Sequence, residues 1–133
     1  MLGANVVNSF NSEMHVTKAI GLRRRATDSL TGSLTYFSEG GGQQGRRTGI
    51  APQIWLEDDL TSRLSVGVGI GPHLAMHKPA ASEGSTSAVS ALISISAAYA
   101  ISSEWIGRLT WNRVETRYDR DSDIVTFALG YRY

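Results

Sequence analysis

Long runs of strict two-residue alternation constrain the fold of this chain more than any other feature of its sequence. In "RLSVGVGIGPHLAMH", the even positions from Leu64 to Met76 are apolar, and the odd positions between them carry glycine, serine, alanine or histidine. "AVSALISISAAYAI" repeats the pattern, with apolar residues from Val89 to Ile101 opposing mostly serine and alanine. Because successive side chains of a strand point to opposite faces, each run predicts a strand with two unlike faces.

Shorter or noisier forms of the same alternation recur along the chain, and no segment has a convincing helical period. They are "ANVVNSF", "HVTKAIGLR", "SLTGSLTYF", "TGIAPQIWL", "WIGRLTW" and "DIVTFALGYRY". The sequence therefore predicts an all-β chain of about eight strands, forming a single domain over residues 1–133.

The connections between these strands alternate in length after the first one, "NSE". Short turns at "RATD", "EDDLTS" and "SSE" alternate with long polar segments at "SEGGGQQGRR", "KPAASEGSTS" and "TRYDRDSD". In an up-and-down meander, alternate connections lie at the same end. The long loops are thus expected at one end, and the short turns with both termini at the other.

Two kinds of closed meander could hold these strands. A soluble lipocalin-like barrel buries its apolar parity and binds an apolar ligand inside, whereas a membrane barrel turns the apolar parity towards lipid. Here the polar parity is small and uncharged, as a narrow interior requires, and the strands reach the roughly 9–11 residues needed to cross a bilayer. The asymmetry of turns and loops also matches outer-membrane barrels. We therefore predict an antiparallel, up-and-down transmembrane β-barrel.

Composition excludes several other classes of function. The formal net charge is +1, and "LRRRATD" is the only basic cluster, so no nucleic-acid interface is expected. Cysteine is absent, which removes thiolate metal sites and cysteine nucleophiles, and we expect no cofactor. "MLGANVVNSF" has neither a basic n-region nor a long apolar core, so no signal peptide is evident in it.

The segment "DIVTFALGYRY" resembles the closing strand of Gram-negative outer-membrane proteins, which ends in an aromatic residue after alternating apolar positions. The chain is also similar in size and meander to small barrels of the outer-membrane protein X, OmpA-domain and lipid A deacylase type. The resemblance implies a bacterial outer-membrane location, contact with membrane lipid and lipopolysaccharide, and recognition of Tyr133 by the barrel-assembly machinery. We expect this strand to pair with "ANVVNSF" and to direct one parity towards lipid: Val125, Phe127, Leu129, Tyr131 and Tyr133.

Polar residues on the opposite parity are predicted to form a paired network inside the barrel, because buried charges require partners. These residues are Gln53, His73, Arg108, Asn112 and Arg132. An ion or proton pathway is disfavoured, since side chains fill so narrow a barrel. Aromatic residues near the strand ends are expected at headgroup level: Tyr36, Trp105, Trp111, Tyr131 and Tyr133.

Catalysis is the main alternative to a structural or surface-interaction role. His73, His77 and Glu83 with nearby serines could supply a hydrolase acting on lipid A or phospholipid. However, the lipid A deacylases carry a His-x-Ser in their seventh strand, and "TWNRV" here has neither residue. The resemblance therefore implies the architecture and leaves enzymatic activity uncertain.

Charged residues of the proposed loop end suggest two further contacts. Asp119, Asp121 and Asp123 alternate in a way that suits calcium, but the segment lacks the features of an EF-hand, and a solvated hairpin is favoured over a metal site. Basic residues near the same rim could hold lipopolysaccharide phosphates: Lys18, Arg46, Arg47, Arg117 and Arg120.

Overall fold

The alternating segments form eight antiparallel strands that close into a barrel. The computed structural model describes residues 2–8, 14–42, 45–78, 86–115 and 122–132. The strands are β1 (Leu2–Asn8), β2 (Met14–Arg25), β3 (Leu30–Gly42), β4 (Gly45–Asp59), β5 (Leu64–Lys78), β6 (Thr86–Ala100), β7 (Trp105–Glu115) and β8 (Ser122–Tyr131). Among the described residues, no helix is long and apolar enough to span a membrane.

Each strand pairs with its neighbours in chain order, and β1 closes the barrel by pairing with β8. In that last pairing, Leu2 lies opposite Leu129 and Val6 opposite Val125. This confirms the predicted meander and its closure between "ANVVNSF" and "DIVTFALGYRY". Closure leaves no open sheet edge, so every strand has a paired neighbour on both sides.

Three four-residue turns lie at one end of the barrel, at 26–29, 60–63 and 101–104, and they close in the same way. Each has a hydroxyl residue second, and that oxygen accepts a hydrogen bond from the backbone N–H three residues later. The distances are 3.1 Å for Thr27 to Leu30, 2.9 Å for Thr61 to Leu64 and 3.1 Å for Ser102 to Trp105. Such side-chain-capped turns are a known use of serine and threonine.

The connection between β3 and β4 differs from the expectation. The sequence predicts a long polar loop at "SEGGGQQGRR", yet β3 continues to Gly42 and β4 begins at Gly45. The hairpin ladder continues through this segment, with Glu39 opposite Arg47 and then a shift of register before Gly42 meets Gly45. Antiparallel pairing with a bulge can accommodate such a glycine-rich segment, because a hairpin ladder can run on beyond a barrel wall.

The burial pattern is that of a barrel turned inside out. Apolar side chains of the outward parity are exposed, among them Ile54 and Ile70 at 62% and Phe127 at 59%. Small, polar, aromatic and some aliphatic side chains fill the interior, where Trp55 is 2% exposed and Arg108 is 8% exposed. The predicted assignment of apolar and small-polar parities to the two faces of the wall is therefore observed.

Candidate functional site

The interior of the barrel contains three layers that follow one another along its axis. On β4, Glu57 lies nearest the turn end, and Trp55, Gln53 and Ala51 follow at two-residue steps towards the loop end. Each of these side chains is buried. Side chains of a strand point alternately to its two faces. One residue known to point inside therefore shows which other residues of the same strand also point inside.

The first layer is an ion-pair cluster of Arg23, Glu57 and Arg108. Oε1 of Glu57 accepts hydrogen bonds from Nη2 of Arg23 at 2.8 Å and from Nη1 of Arg108 at 3.1 Å. Nη1 of Arg108 also donates to the Ser96 hydroxyl at 3.1 Å. One carboxylate is therefore shared by two guanidinium groups, and the cluster carries one net positive charge.

Trp55 supports this cluster from the loop side. The guanidinium of Arg23 lies 3.9 Å from the centroid of a Trp55 ring, which is cation–π geometry. The indole N–H donates to the Ser33 hydroxyl at 2.8 Å, so its polar atom is satisfied. A second contact thus helps to stabilise the charged Arg23 side chain inside the barrel.

Glycines on β5 make room for the large side chains of β4. A Cβ built on Gly69 would lie 2.5 Å from Cδ2 of Trp55, and one built on Gly67 would lie 2.9 Å from Cγ of Glu57. The alternating glycines of "VGVGIG" thus let the indole and the carboxylate pack flat against the neighbouring strand. This complementarity is how a barrel of eight strands fills its interior.

The second layer is a chain of neutral hydrogen bonds across four strands. Nε2 of Gln53 donates to Oγ of Ser94 at 2.8 Å, and Ser94 donates to Oδ1 of Asn112 at 2.6 Å. Nδ2 of Asn112 in turn donates weakly to Oγ1 of Thr126 at 3.5 Å, and Thr126 donates to the carbonyl of Thr110 at 3.1 Å. All donors point in one direction along this amide network, which lets each bond polarise the next.

The third layer is an apolar plug towards the loop end. It consists of Phe37, Ala51, Leu92, Val114 and Ile124, with Ala19 packed against it. His73 is 4% exposed, and its ring meets Phe37 edge-on with centroids 5.7 Å apart. His73 therefore lies among the packed interior side chains. A hydrolase acting on membrane lipid would need this histidine at the exposed rim.

The structure brings together most, but not all, of the predicted interior residues. Gln53 and Asn112 share one network, Arg108 belongs to the ion-pair cluster, and His73 packs beside the apolar plug. Arg132 is a correction, because it is exposed beyond the end of β8. Its parity is inward, but the wall has ended at its level, and its backbone N–H donates to the carbonyl of Glu104 at 2.8 Å.

Arg23, Trp55 and Glu57 are interior residues that the sequence pattern was not used to place inside. Arg23 was hidden in the basic cluster "LRRRATD", which strand alternation divides between the two faces of the wall. Glu57 was assigned to the turn "EDDLTS", although β4 continues to Asp59. Extending the two-residue period from Gln53 along β4 would have placed both Trp55 and Glu57 inside.

The outer face of β8 has the predicted orientation where it is described. Val125, Phe127, Leu129 and Tyr131 are exposed, and Tyr133 lies outside the described residues. Tyr131 meets Trp105 edge-on at 5.4 Å, near the turn end. Of the other predicted belt residues, Tyr36 is exposed and Trp111 is half-buried.

The remaining candidates fall largely outside the structure that is described. Glu83, Asp119 and Asp121 lie outside it, whereas His77 belongs to β5. Asp123 lies in β8 opposite Arg113 in the register. Within the described ranges, no group of three histidine or acidic side chains is placed to hold a metal ion.

A small cavity lies between the described interior side chains. It has a volume of about 60 Å³ and lies between the ion-pair cluster and the amide network, bordered by Gly21, Thr35 and Thr110 among others. It could hold a few water molecules, since one water needs roughly 10–15 Å³ of such space. The cavity is therefore much smaller than a pocket for a drug-sized ligand, which takes roughly 300–1,000 Å³.

A closed eight-stranded meander with a polar interior and an apolar exterior is the fold of small bacterial outer-membrane β-barrels. The N-terminal β-barrel domain of OprF from Pseudomonas aeruginosa superposes with a TM-score of 0.75 at 12% sequence identity, over 99% of this chain and 95% of that one. Ail, the attachment invasion locus protein of Yersinia pestis, superposes in its complex with the heparin analogue sucrose octasulfate at 0.73 and 10% identity, over 99% and 94% of the two chains.

Neisserial surface protein A also has this fold, with a TM-score of 0.69 and 12% identity over 99% of this chain and 93% of that one. No protein-family model matches the chain, and no curated protein sequence matches it. The similarity is thus one of fold, carried by the barrel geometry at low sequence identity.

Proposed function

We propose that this protein is a small outer-membrane β-barrel with a structural or surface-interaction role, and that it displays its loop end outside the cell. The observation that carries the proposal is the inside-out burial of the wall. Buried Arg108, Glu57 and Asn112 oppose an exterior of exposed leucine, isoleucine, valine and aromatic side chains. Such an exterior suits the hydrocarbon of a bilayer, whereas in water it would be a very large apolar patch.

The geometry of the interior argues against the ligand-binding alternative. A lipocalin-like barrel needs an apolar cavity, and the cavity found here has about 60 Å³ with Arg23, Arg108 and Asn112 at its border. An ion pathway is also outside the proposal, because the ion-pair cluster and the apolar plug both lie across the interior.

A hydrolase role is left out of the proposal because the candidate His73 is packed internally. His73 lies against Phe37 and is buried, so it has no access to lipid from the rim. We expect no acyl release from lipid A or phospholipid by the unmodified protein. Acyl release that disappears in His73→Ala or His77→Ala would reverse this ranking.

Contact with lipopolysaccharide at the loop end is a finer part of the proposal. Lys18 is exposed on the outer face of β2, in the half of that strand nearer the loops. Ail, which shares the fold, has been crystallised with sucrose octasulfate, a polyanion. A cationic rim on this barrel would have the corresponding charge to hold lipopolysaccharide phosphates.

Gel mobility tests the membrane barrel directly. Protein refolded into detergent or vesicles should migrate differently before and after boiling, because a folded membrane barrel resists the detergent.

The accessibility of a peptide tag tests the orientation of the barrel. A tag inserted at 79–85 should be accessible on intact bacteria, whereas the same tag at 101–104 should be accessible only after the membrane is opened. A protein that remains a water-soluble monomer without detergent would contradict the proposal.

A further inference from the structure

An open groove in the outer surface of the barrel runs across strands β2, β3, β4 and β5. The groove has a volume of about 590 Å³, and it is bordered by the apolar side chains of Leu22, Leu34, Ile54 and Ile70. All four are exposed. Its volume is within the roughly 300–1,000 Å³ of ordinary ligand pockets, although the groove is open on one side.

The groove exists because three outward positions carry little bulk. Gly32 has no side chain, and a Cβ built there would meet no atom within 4 Å. Pro52 on β4 and Pro72 on β5 are directly opposite, at the point where the ladder is interrupted between the pairs Ile50–Leu74 and Ile54–Ile70. Neither proline can donate a backbone hydrogen bond, and their compact rings leave the wall recessed between longer side chains.

Two arginine residues border this groove, Arg23 and Arg24. Arg24 lines it and is exposed on the outer face, one residue before the end of β2. Its neighbours are both engaged, since Arg23 turns inward to Glu57 and Arg25 lies 3.6 Å from Asp59. Within the part of the chain that the structure describes, no ion pair involves Arg24.

Asp58 also faces outward, four residues beyond Ile54 towards the turn, and it makes no ion pair with Arg24. The guanidinium of Arg24 is therefore available to an external anion. Near a strand end, a long arginine side chain can extend to the headgroup level while its stem lies on apolar surface. Phosphate is a ligand that this planar group holds with two hydrogen bonds.

We propose that the groove binds one acyl chain of a phospholipid from the leaflet at the turn end, with the lipid phosphate held by Arg24. This inference rests on the proposed membrane location. A phospholipid brings hydrocarbon and a phosphate at adjoining depths, which matches the apolar groove and the cation at its edge. A symmetric second copy of the chain would instead bring two Arg24 side chains towards each other, which like-charge repulsion opposes.

Two variants with matched controls test the proposal by native mass spectrometry of the detergent-purified barrel with added phosphatidylglycerol. Arg24→Gln removes the phosphate contact, and Gly32→Leu fills the groove. Arg63→Gln removes one charge from an exposed turn that does not border the groove. Gly107→Leu adds the same side chain to the outer face of β7, where a Cβ has only ordinary contacts at 3.5 Å and beyond.

We expect one tightly retained phosphatidylglycerol, and weaker retention of a diacylglycerol with the same acyl chains. Arg24→Gln and Gly32→Leu should each weaken retention by about tenfold, the effect of losing one charged hydrogen bond or its equivalent. Both controls should match the unmodified protein.

The heat-dependent gel shift separates failure of the barrel from failure of the groove. If the unmodified protein shows no shift, the membrane proposal itself fails. If the shift is present but phosphatidylglycerol and diacylglycerol are retained equally, or the test variants behave like the controls, the groove proposal is overturned. A dimer that Gly32→Leu abolishes would assign the groove to a second copy and also overturn it. Should Gly32→Leu not fold, Arg24→Gln decides, because its side chain is exposed.

Discussion

The carboxylate of Glu57 is shared by two arginine side chains inside the barrel, 2.8 Å from Arg23 and 3.1 Å from Arg108. Removing either arginine leaves a neutral pair behind. Removing the carboxylate leaves two buried cations facing each other, so the acid is more important to stability than either base. From sequence alone, Arg108 would have been chosen as the critical charge, because Glu57 was assigned to a turn.

Glu57→Gln is therefore expected to destabilise the barrel by about 3–5 kcal/mol, the usual effect of stranding buried charge. Arg108→Leu should be less costly. Urea unfolding in detergent micelles would measure both. Asp59→Asn is the control, because its pair with Arg25 is half-exposed and exposed pairs contribute only about 0–1 kcal/mol. If Glu57→Gln were as stable as the unmodified protein, the ion-pair cluster would not stabilise the fold.

Glycine positions on the two faces of the wall should respond differently to the same added methyl group. Gly69→Ala would force Cβ against the Trp55 indole, at 2.5 Å from Cδ2, and we expect about 1–3 kcal/mol of destabilisation from overpacking. Gly32→Ala projects into open space outside and should be neutral or slightly stabilising, because alanine has less freedom to lose than glycine. Unfolding of the pair under identical conditions tests this, and equal losses would contradict the packing of Trp55 on β5.

At the scale of the element, β8 shows how one strand serves two environments. Its outward residues from Val125 to Tyr131 are exposed, and its inward residues from Ile124 to Gly130 are buried. Depth along the strand also matters, because charge on a lipid-facing position is most costly near the bilayer midplane. Phe127 lies near the middle of β8, whereas Leu129 lies two residues from its end.

Phe127→Arg should destabilise a bilayer-embedded barrel by about 2–4 kcal/mol, and Leu129→Arg by less because it is closer to the interface. Ala128→Ser, on the inward parity beside the polar cavity, is the control and should have little effect. Refolding into vesicles at a series of urea concentrations gives the three values. Arginine tolerated at both outward positions in a water-soluble monomer would favour the lipocalin-like alternative.

At the scale of the whole molecule, the barrel has one polar end made of tight turns and one end made of the other connections. The three turns at 26–29, 60–63 and 101–104 are short and internally hydrogen-bonded, and they share that end with the start of β1 and the end of β8. In the proposed orientation, this compact end faces the periplasm, and the end with the other connections faces the outside of the cell.

Tyr133, which lies outside the described residues, is predicted to act during assembly in the cell. Deleting it should reduce the amount of barrel assembled in the outer membrane more than it reduces refolding in detergent, because we propose that the assembly machinery reads the terminal aromatic residue. Comparing heat-shifted protein in the two settings measures this, with Arg132→Ala as an exposed neighbouring control. Equal losses in cells and in detergent would mean that Tyr133 acts through packing instead.

The sequence by itself determined the all-β class, the eight-stranded meander and which parity of most strands faces outward. These follow from local rules, because the two-residue period and the turn residues are written into each segment separately. The same rules oriented "DIVTFALGYRY" and placed Gln53, His73, Arg108 and Asn112 inside.

Only the tertiary structure decided how those interior residues are partnered. Glu57 contacts Arg23, 34 residues away in the sequence, and Arg108, 51 residues away. These side chains meet inside only because the strands close into a barrel with a fixed register. Closure also determines the level at which the paired strands end. Arg132 lies beyond that level, so its side chain is exposed although its position in the alternation is an inward one. The groove likewise required three strands to come together, because Gly32, Pro52 and Pro72 are separated in the sequence and adjacent only across the sheet.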